Sequence, residues 1–167
     1  ANVLAAIQLQ VEAALDYDKL LDKLRGSEGE KNIRDQQNAL ITSLNLRLNG
    51  VSKKRTRLYE DYAEGLLDEE EYAFAKKSYD EQYADLSRRL DEAVQRRSKF
   101  NEAMSVDNKW ITLMKSVSTA TRLTQDLVDE SVELVKVHEG GVVELVMKYG
   151  DIYELTIQSI KEVQEAM

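Results

Sequence analysis

Few residues in this chain could carry out chemistry. His138 is the sole histidine. It stands beside Glu139, just ahead of Gly140-Gly141. To act as a general base it would need a serine or a third carboxylate at a recognisable spacing, and none accompanies it. A solvated strand histidine is the reading that remains. Carboxylates are abundant, and a di-iron helical bundle is built from such groups. That chemistry requires Glu-x-x-His pairs directed into a core, and the sequence contains none. The run Asp68-Glu69-Glu70-Glu71 suits a helix N-terminus, where negative charge meets the positive end of the macrodipole without any metal. There is no cysteine, which excludes thiolate zinc sites and a cysteine nucleophile within this stretch. No glycine-rich phosphate loop appears. The expectation is a non-enzymatic chain with no catalytic, cofactor-binding or metal-binding residues of its own.

Two basic clusters interrupt an acidic background: Lys53-Lys54-Arg55-Thr56-Arg57, and Arg88-Arg89 followed by Arg96-Arg97 and Lys99. Lys53, Lys54, Arg57, Arg96 and Arg97 are the candidates for contact with a DNA backbone. The plainer reading, which is favoured, is a solvated rim paired with Asp80, Glu81, Asp91 and Glu92. A net charge of −8 and a pI near 4.8 argue against broad adhesion to nucleic acid or an anionic membrane. No apolar run is long enough to span a bilayer, and the start lacks a signal-peptide pattern. The expected setting is cytoplasmic, with no membrane partner. Ala1-Asn2-Val3-Leu4 enters helical periodicity without a methionine, as an excised fragment would.

The elements that must position these residues are helical. The chain has 167 residues, no proline, few glycines and about a third charged residues, a composition typical of long helices. Leu4, Ile7, Val11, Leu15 and Leu21 place a first helix at about Val3 to Leu24. Gly26-Ser27-Glu28-Gly29 reads as a flexible linker. Ile41, Leu44, Leu48, Val51, Leu58 and Tyr62 then recur on steps of three and four, with Arg55 in the one missing slot. The stripe restarts with Tyr72, Tyr79, Tyr83, Leu86, Leu90, Ala93, Phe100 and Met104, with Lys76 and Arg97 interleaved. Two such stripes joined by a short connection predict an antiparallel coiled-coil hairpin. Each arm, at roughly 30 residues, would span about 45 Å. The expected register sets Tyr62 against Tyr72, Val51 against Tyr83, Leu48 against Leu86 and Leu44 against Leu90.

At the turn of this hairpin, Gly65 is placed as the left-handed residue that ends the first arm. Asp68 caps the second arm, with Glu71 as its reciprocal partner. Leu66 and Leu67 then lie at the tip, where one can fold back over the helix ends but two cannot both be hidden. Tyr59, Tyr62, Tyr72, Tyr79 and Tyr83 crowd the outer half, mostly at core spacing. Tyrosine also makes a good contact surface. Tyr62, Leu66, Leu67 and Tyr72 are therefore the candidate partner interface.

Beyond residue 104, Asp107 is the expected cap of a short helix carrying Trp110, Ile111, Met114 and Val117. Thr124 caps another, with Leu127, Val128, Leu134 and Val135 on its apolar side. Val135 to Glu139 and Val142 to Tyr149 read as strands joined by Gly140-Gly141 as a two-residue turn. Val137, Val142 and Val146 would share one face; Val143, Leu145 and Met147 would share the other. A last helix carries Ile152, Leu155, Ile160 and Val163 and could cover one of these faces. The fold class is thus mainly α: a long antiparallel coiled-coil helical hairpin with a small α+β base containing a β-hairpin. Its expected parts are 1–25, the first helix of the base; 31–104, the arm, with its tip at 65–68; and 105–167, with the β-hairpin at 135–149 and the final helix.

Three stretches resemble large serine recombinases. Val3-Leu4-Ala5-Ala6-Ile7 is similar to the segment that follows their zinc ribbon. Leu58-Tyr59-Glu60-Asp61-Tyr62-Ala63-Glu64-Gly65-Leu66-Leu67-Asp68-Glu69-Glu70-Glu71-Tyr72 resembles the tip of their coiled coil. Leu123-Thr124, followed by Val135-Lys136-Val137-His138-Glu139-Gly140-Gly141-Val142-Val143-Glu144-Leu145, resembles the segment that closes the zinc-ribbon domain. The similarity touches nearly the whole chain and keeps the order of elements. It implies a parent protein, a phage integrase or conjugative-element transposase, that recombines DNA at specific sites through a phosphoserine linkage. The family's catalytic serine and arginines and its zinc-binding cysteines have no counterpart here, so zinc would be bound by parts of the parent outside this chain. The resemblance carries over the role of the arm. Arms of different subunits touch near their tips in synapsis, and rearranging those contacts governs integration against excision. The implied partners are other subunits of the same recombinase, a directionality factor, and DNA through other parts of the parent. The alternatives are a structural spacer that only sets a distance, or an accessory module that binds the DNA backbone.

Overall fold

The computed structural model describes residues 3–167, so Ala1 and Asn2 lie outside the described residues. The protein is mainly helical. In order it contains α1 (Val3–Leu24), α2 (Glu28–Ala63), α3 (Glu69–Met104), α4 (Lys109–Ser116), α5 (Gln125–Ser131), β1 (Val132–Val137), β2 (Val143–Met147) and α6 (Gly150–Glu165). The chain divides into two compact units. One holds the residues up to Ile33 together with Lys99–Met167; the other is Arg34–Ser98. The arm expected over 31–104 is therefore shorter as a unit than as a pair of helices. Ile33, Phe100 and Met104 belong to the core of the first unit.

In the first unit, α1 buries Ile7, Val11, Ala14, Leu21 and Leu24. Leu15 does not join them. It is 37% exposed, and Ala14 takes the inward slot. At the centre is Trp110, fully buried, with its ring centroid 4.6 Å from that of Tyr153 and 6.1 Å from that of Tyr17. The residue that caps α4 is Asn108, not Asp107. Its Oδ1 accepts from Ile111 N at 3.1 Å. Its Nδ2 donates to Ala103 O at 2.9 Å and to Thr156 Oγ1 at 2.8 Å. An amide can donate and accept at once, whereas a buried carboxylate can only accept and would be left charged in an apolar core. Thr124 caps α5 as expected, accepting from Leu127 N at 3.2 Å.

The break between α1 and α2 is tighter than the four-residue linker expected. Gly26 turns left-handed at φ 74°. Ser27 Oγ then accepts from Glu30 N as the cap that starts α2 at Glu28, and the Glu30 carboxylate reaches back to accept from Gly26 N. Gly29 lies inside the helix, where a Cβ would stand 2.2 Å from Val163 O of α6. Its lack of a side chain is what permits this close approach, so it serves packing and not flexibility.

The β-hairpin also differs from expectation. β1 begins at Val132, three residues before the strand expected from Val135, so Leu134 is a strand residue and Val135 belongs to the strand and not to the apolar side of α5. Val132 already has extended backbone as the C-cap of α5, in keeping with the density of β-branched residues that follows. The connection is longer than two residues. Gly141 N donates to His138 O at 3.2 Å and His138 N donates to Val142 O at 2.8 Å, with Gly140 and Gly141 both at positive φ. Val137 pairs with Val143 and Leu134 with Val146. Val137 thus shares a face with Leu145 and not with Val146. β2 ends at Met147, and Tyr149 then adopts φ 57° ahead of α6. Leu145 and Met147 pack against the core, while Leu134, Val137 and Val142 remain exposed.

In the second unit, Ile41, Leu44, Val51, Leu86 and Ala93 form a buried seam, flanked by Leu48, Tyr79, Tyr83 and Leu90. Leu58 is buried as well. The three- and four-residue steps put these side chains on one stripe of each helix, which is all that an antiparallel pair can bury.

Candidate interaction surface at the hairpin tip

The tip is built by local sequence. Gly65 takes φ 77°. Its N–H donates to Tyr62 O at 3.0 Å, and Leu66 N donates to Asp61 O at 2.9 Å. This is the paired bond of a Schellman ending, which satisfies carbonyls left over at the end of α2. Across the turn, Asp68 Oδ1 accepts from Glu71 N at 2.8 Å while Glu71 Oε2 accepts from Asp68 N at 3.1 Å. Both expected devices are therefore present, a glycine stop and a capping box. Between them the chain has only two residues, Leu66 and Leu67, in which to reverse.

That economy decides where the leucines go. Leu66 is 67% exposed, whereas Leu67 is half-buried. Leu67 immediately precedes the cap, the position from which an apolar side chain folds toward the first turn of the next helix. Tyr62 and Tyr72 face each other across the seam, ring centroids 4.3 Å apart and 14° from parallel. Tyr62 still leaves 37% of its surface in solvent, and Tyr59 leaves 61%. Phe74, at 78% exposure, is an outward-facing aromatic that the stripe analysis passed over. The signal for it was available, since Phe74 falls between Tyr72 and Lys76 and so lies off the three- and four-residue steps.

Below the tip the seam becomes polar. Arg55 occupies the stripe position expected of it. Its guanidinium carbon stands 4.7 Å from the centroid of the Tyr83 ring. One of its nitrogens lies 2.9 Å from Asp80 Oδ1, and Lys76 Nζ donates to Asp80 Oδ2 at 2.6 Å. The hydrogen bond from Lys76 is the main reason that the Asp80 carboxyl is held below the usual carboxylate range, and it raises Lys76 in return. These groups and Tyr59, Tyr72, Leu58, Ser52 and Thr56 line a groove of about 380 Å³.

The structure separates the expected DNA-contact residues. Lys53 and Lys54 are exposed on α2. Arg57 reaches Asp61 at only 4.0 Å. Arg97 donates to Asn38 Oδ1 across the seam at 3.1 Å, while Arg96 is exposed. Of the expected acidic partners, Asp80 and Glu92 do pair, the latter with Arg88 at 2.7 Å. Asp85 was not anticipated, yet it meets Arg88 at 2.8 Å and Arg89 at 3.8 Å. His138 lies in the other unit and contacts Glu144 at 2.8 Å, not the adjacent Glu139. That contact, more than Lys136, pulls the Glu144 carboxyl below its ordinary value.

Among the described residues, no group of three or more His, Asp or Glu side chains is arranged to hold a metal ion. No helix in the described residues is long and apolar enough to cross a membrane. No protein-family model, curated protein or solved structure matches this chain.

Proposed function

We propose that this chain is the non-catalytic interaction arm of a site-specific DNA recombinase of the large serine type. In this reading its tip contacts other subunits of the same recombinase during synapsis and in the control of integration and excision. The observation that carries it is Leu66, an apolar residue left 67% exposed on a turn held by a Schellman ending and a capping box. Such a turn needs no leucine for its own formation. The neighbouring Tyr62 and Tyr72 enlarge the apolar surface, and large rigid aromatics are the residues that most often anchor contacts. The surface is small, so the expected affinity of one arm for another is low. Several arms in one complex would act together through effective concentration. A directionality factor is a natural competitor for the same surface, while DNA and zinc would be bound by other parts of the parent.

Sedimentation velocity over a wide concentration range, comparing the native chain with Leu66→Asp, tests this reading. Reversible association in the native chain should vanish in the variant, with helix content by circular dichroism unchanged. Association that persists in the variant would remove Leu66 from the contact, and a native chain that stays monomeric throughout would return the hairpin to a passive spacer. A salt-sensitive affinity for duplex DNA that is lost on replacing Lys53, Lys54 and Arg57 would favour the DNA-backbone module.

A further inference from the structure

We propose that the tip of one copy docks on the shaft of a second copy, at the basic segment around Lys53 to Arg57, and not on the second copy's tip. This inference rests on the tip being the contact surface and says what it contacts. From Glu60 to Glu71 the chain carries seven acidic residues and no basic one. Glu60, Glu64 and Asp68 to Glu71 are exposed around Leu66. Apposing two such tips would set acid against acid at every point of the rim, and like charges brought together at an interface oppose association. The same hairpin offers the complement. Residues 52–57 carry four basic side chains and no acidic one. Lys53 and Arg57 are exposed one helical turn apart, and so share a face of α2. Ser52 and Thr56, their neighbours in sequence, belong to the wall of the groove that Arg55, Lys76, Asp80, Leu58, Tyr59 and Tyr72 complete. Its apolar surface can receive Leu66, and its two cations, set against the single carboxylate of Asp80, leave a positive charge to meet the acidic rim.

The spacing makes the arrangement self-complementary. Tip and basic segment lie on one hairpin, about ten residues or roughly 15 Å apart along the helix. Two hairpins overlapping antiparallel by that distance place each tip on the other's groove at once. The result is a closed two-fold contact and not an open chain.

Charge reversal in the full chain, read by sedimentation velocity, tests the inference. The variants are Lys53→Glu/Arg57→Glu on the shaft and Glu69→Lys/Glu70→Lys near the tip, each checked for unchanged helix content. Either variant alone should self-associate at least about tenfold more weakly than the native chain. An equimolar mixture of the two should recover association, because the lysines placed at the tip of one variant then face the glutamates placed on the shaft of the other. Native association should also weaken as salt rises. If a reversal lowers helix content, Lys53→Ala/Arg57→Ala takes its place and should still weaken association. A contact between tips gives the opposite pattern and would overturn the inference. In that case the shaft variant associates like the native chain, the tip variant binds the native chain more tightly than either binds itself, and salt strengthens association. If Leu66→Asp abolishes association and every charge reversal is without effect, the shaft assignment falls while the tip remains the contact surface. If the native chain never associates, both fall.

Discussion

Around Trp110 and around Arg55 the same chain meets the problem of a polar group in an apolar setting, and meets it differently. Near Trp110, α4 is capped by a fully enclosed Asn108, whose three hydrogen bonds tie it to Ala103, Ile111 and Thr156. These partners belong to α3, α4 and α6, and Asn108 is fully buried among them. Near Arg55 the seam is only two helices wide, and the charged trio of Arg55, Asp80 and Lys76 stands at its edge, reached by solvent. A core of many elements can enclose a neutral amide whose bonds are all made, as at Asn108, and gains uniqueness from it, although the Trp110 Nε1–H beside it finds no partner. A two-helix seam cannot enclose a charge, so it pairs charges where water still shares the cost. The first unit is therefore expected to hold the global stability, and the second to keep its surface free for contact.

The largest expected effect lies at the centre of the first unit. Trp110→Ala should cost about 3–5 kcal/mol, since the indole is fully buried and its neighbours Tyr17 and Tyr153 would be left lining a void. A urea titration followed by circular dichroism would measure this as a lower midpoint. A loss below about 1 kcal/mol would mean that this core collapses readily, and the contrast between the two units would lose its energetic basis.

A sharper version of the comparison uses one substitution twice on one helix. Gly29 and Gly50 both lie in α2, the first in the unit containing Trp110 and the second in the unit containing Arg55. A methyl at Gly29 would meet Val163 O at 2.2 Å and Met167 Cγ at 2.6 Å, whereas one at Gly50 would meet nothing within 4 Å. Gly29→Ala should destabilise by about 1–3 kcal/mol through overpacking against backbone. Gly50→Ala should stabilise by about 0.5–1 kcal/mol, because alanine loses less backbone entropy than glycine in a helix. Opposite signs in thermal unfolding would support the two environments. Equal signs would contradict them.

What could be read from the residues divides along the same line. Gly65, Asp68, Glu71 and the stacked Tyr62 and Tyr72 were all legible, because a turn, a cap and a two-helix register depend on neighbours in sequence or on a simple period. Asn108 was not legible. Aspartate caps helices as well as asparagine does, and only the enclosure by Ala103 and Thr156 decides between Asp107 and its neighbour. The start of β1 was misplaced for a related reason, since Leu134 and Val135 fit a helical step as well as a strand and the pairing with β2 settles the choice. Gly29 looked like part of a linker because its actual constraint is a carbonyl on α6, far away in sequence. Phe74 was overlooked because the period identifies what is inside, and an interaction surface is found among the residues it leaves out.

The smallest effect concerns Asp80. Its carboxyl is held below the ordinary range first by the hydrogen bond from Lys76 and then, more weakly, by the charges of Lys76 and Arg55. A carboxylate with a depressed folded pKa contributes stability above its unfolded value, near about 3.9, and loses it as the pH falls through the folded one. The pair should therefore support the arm at neutral pH and release it only in acid. Lys76, whose value is raised, adds its share below the ordinary lysine range and loses it as alkali is added. Following the Asp80 carboxyl by nuclear magnetic resonance across an acid titration would check the assignment. Lys76→Met should move its midpoint upward more than Arg55→Met does. Although Arg55 lies 2.9 Å from Asp80 Oδ1, that oxygen accepts no aligned hydrogen bond. If Arg55→Met has the larger effect, the cation stacked on Tyr83 governs the seam, and the polar edge of the arm is organised by its aromatic ring rather than by the lysine one turn away.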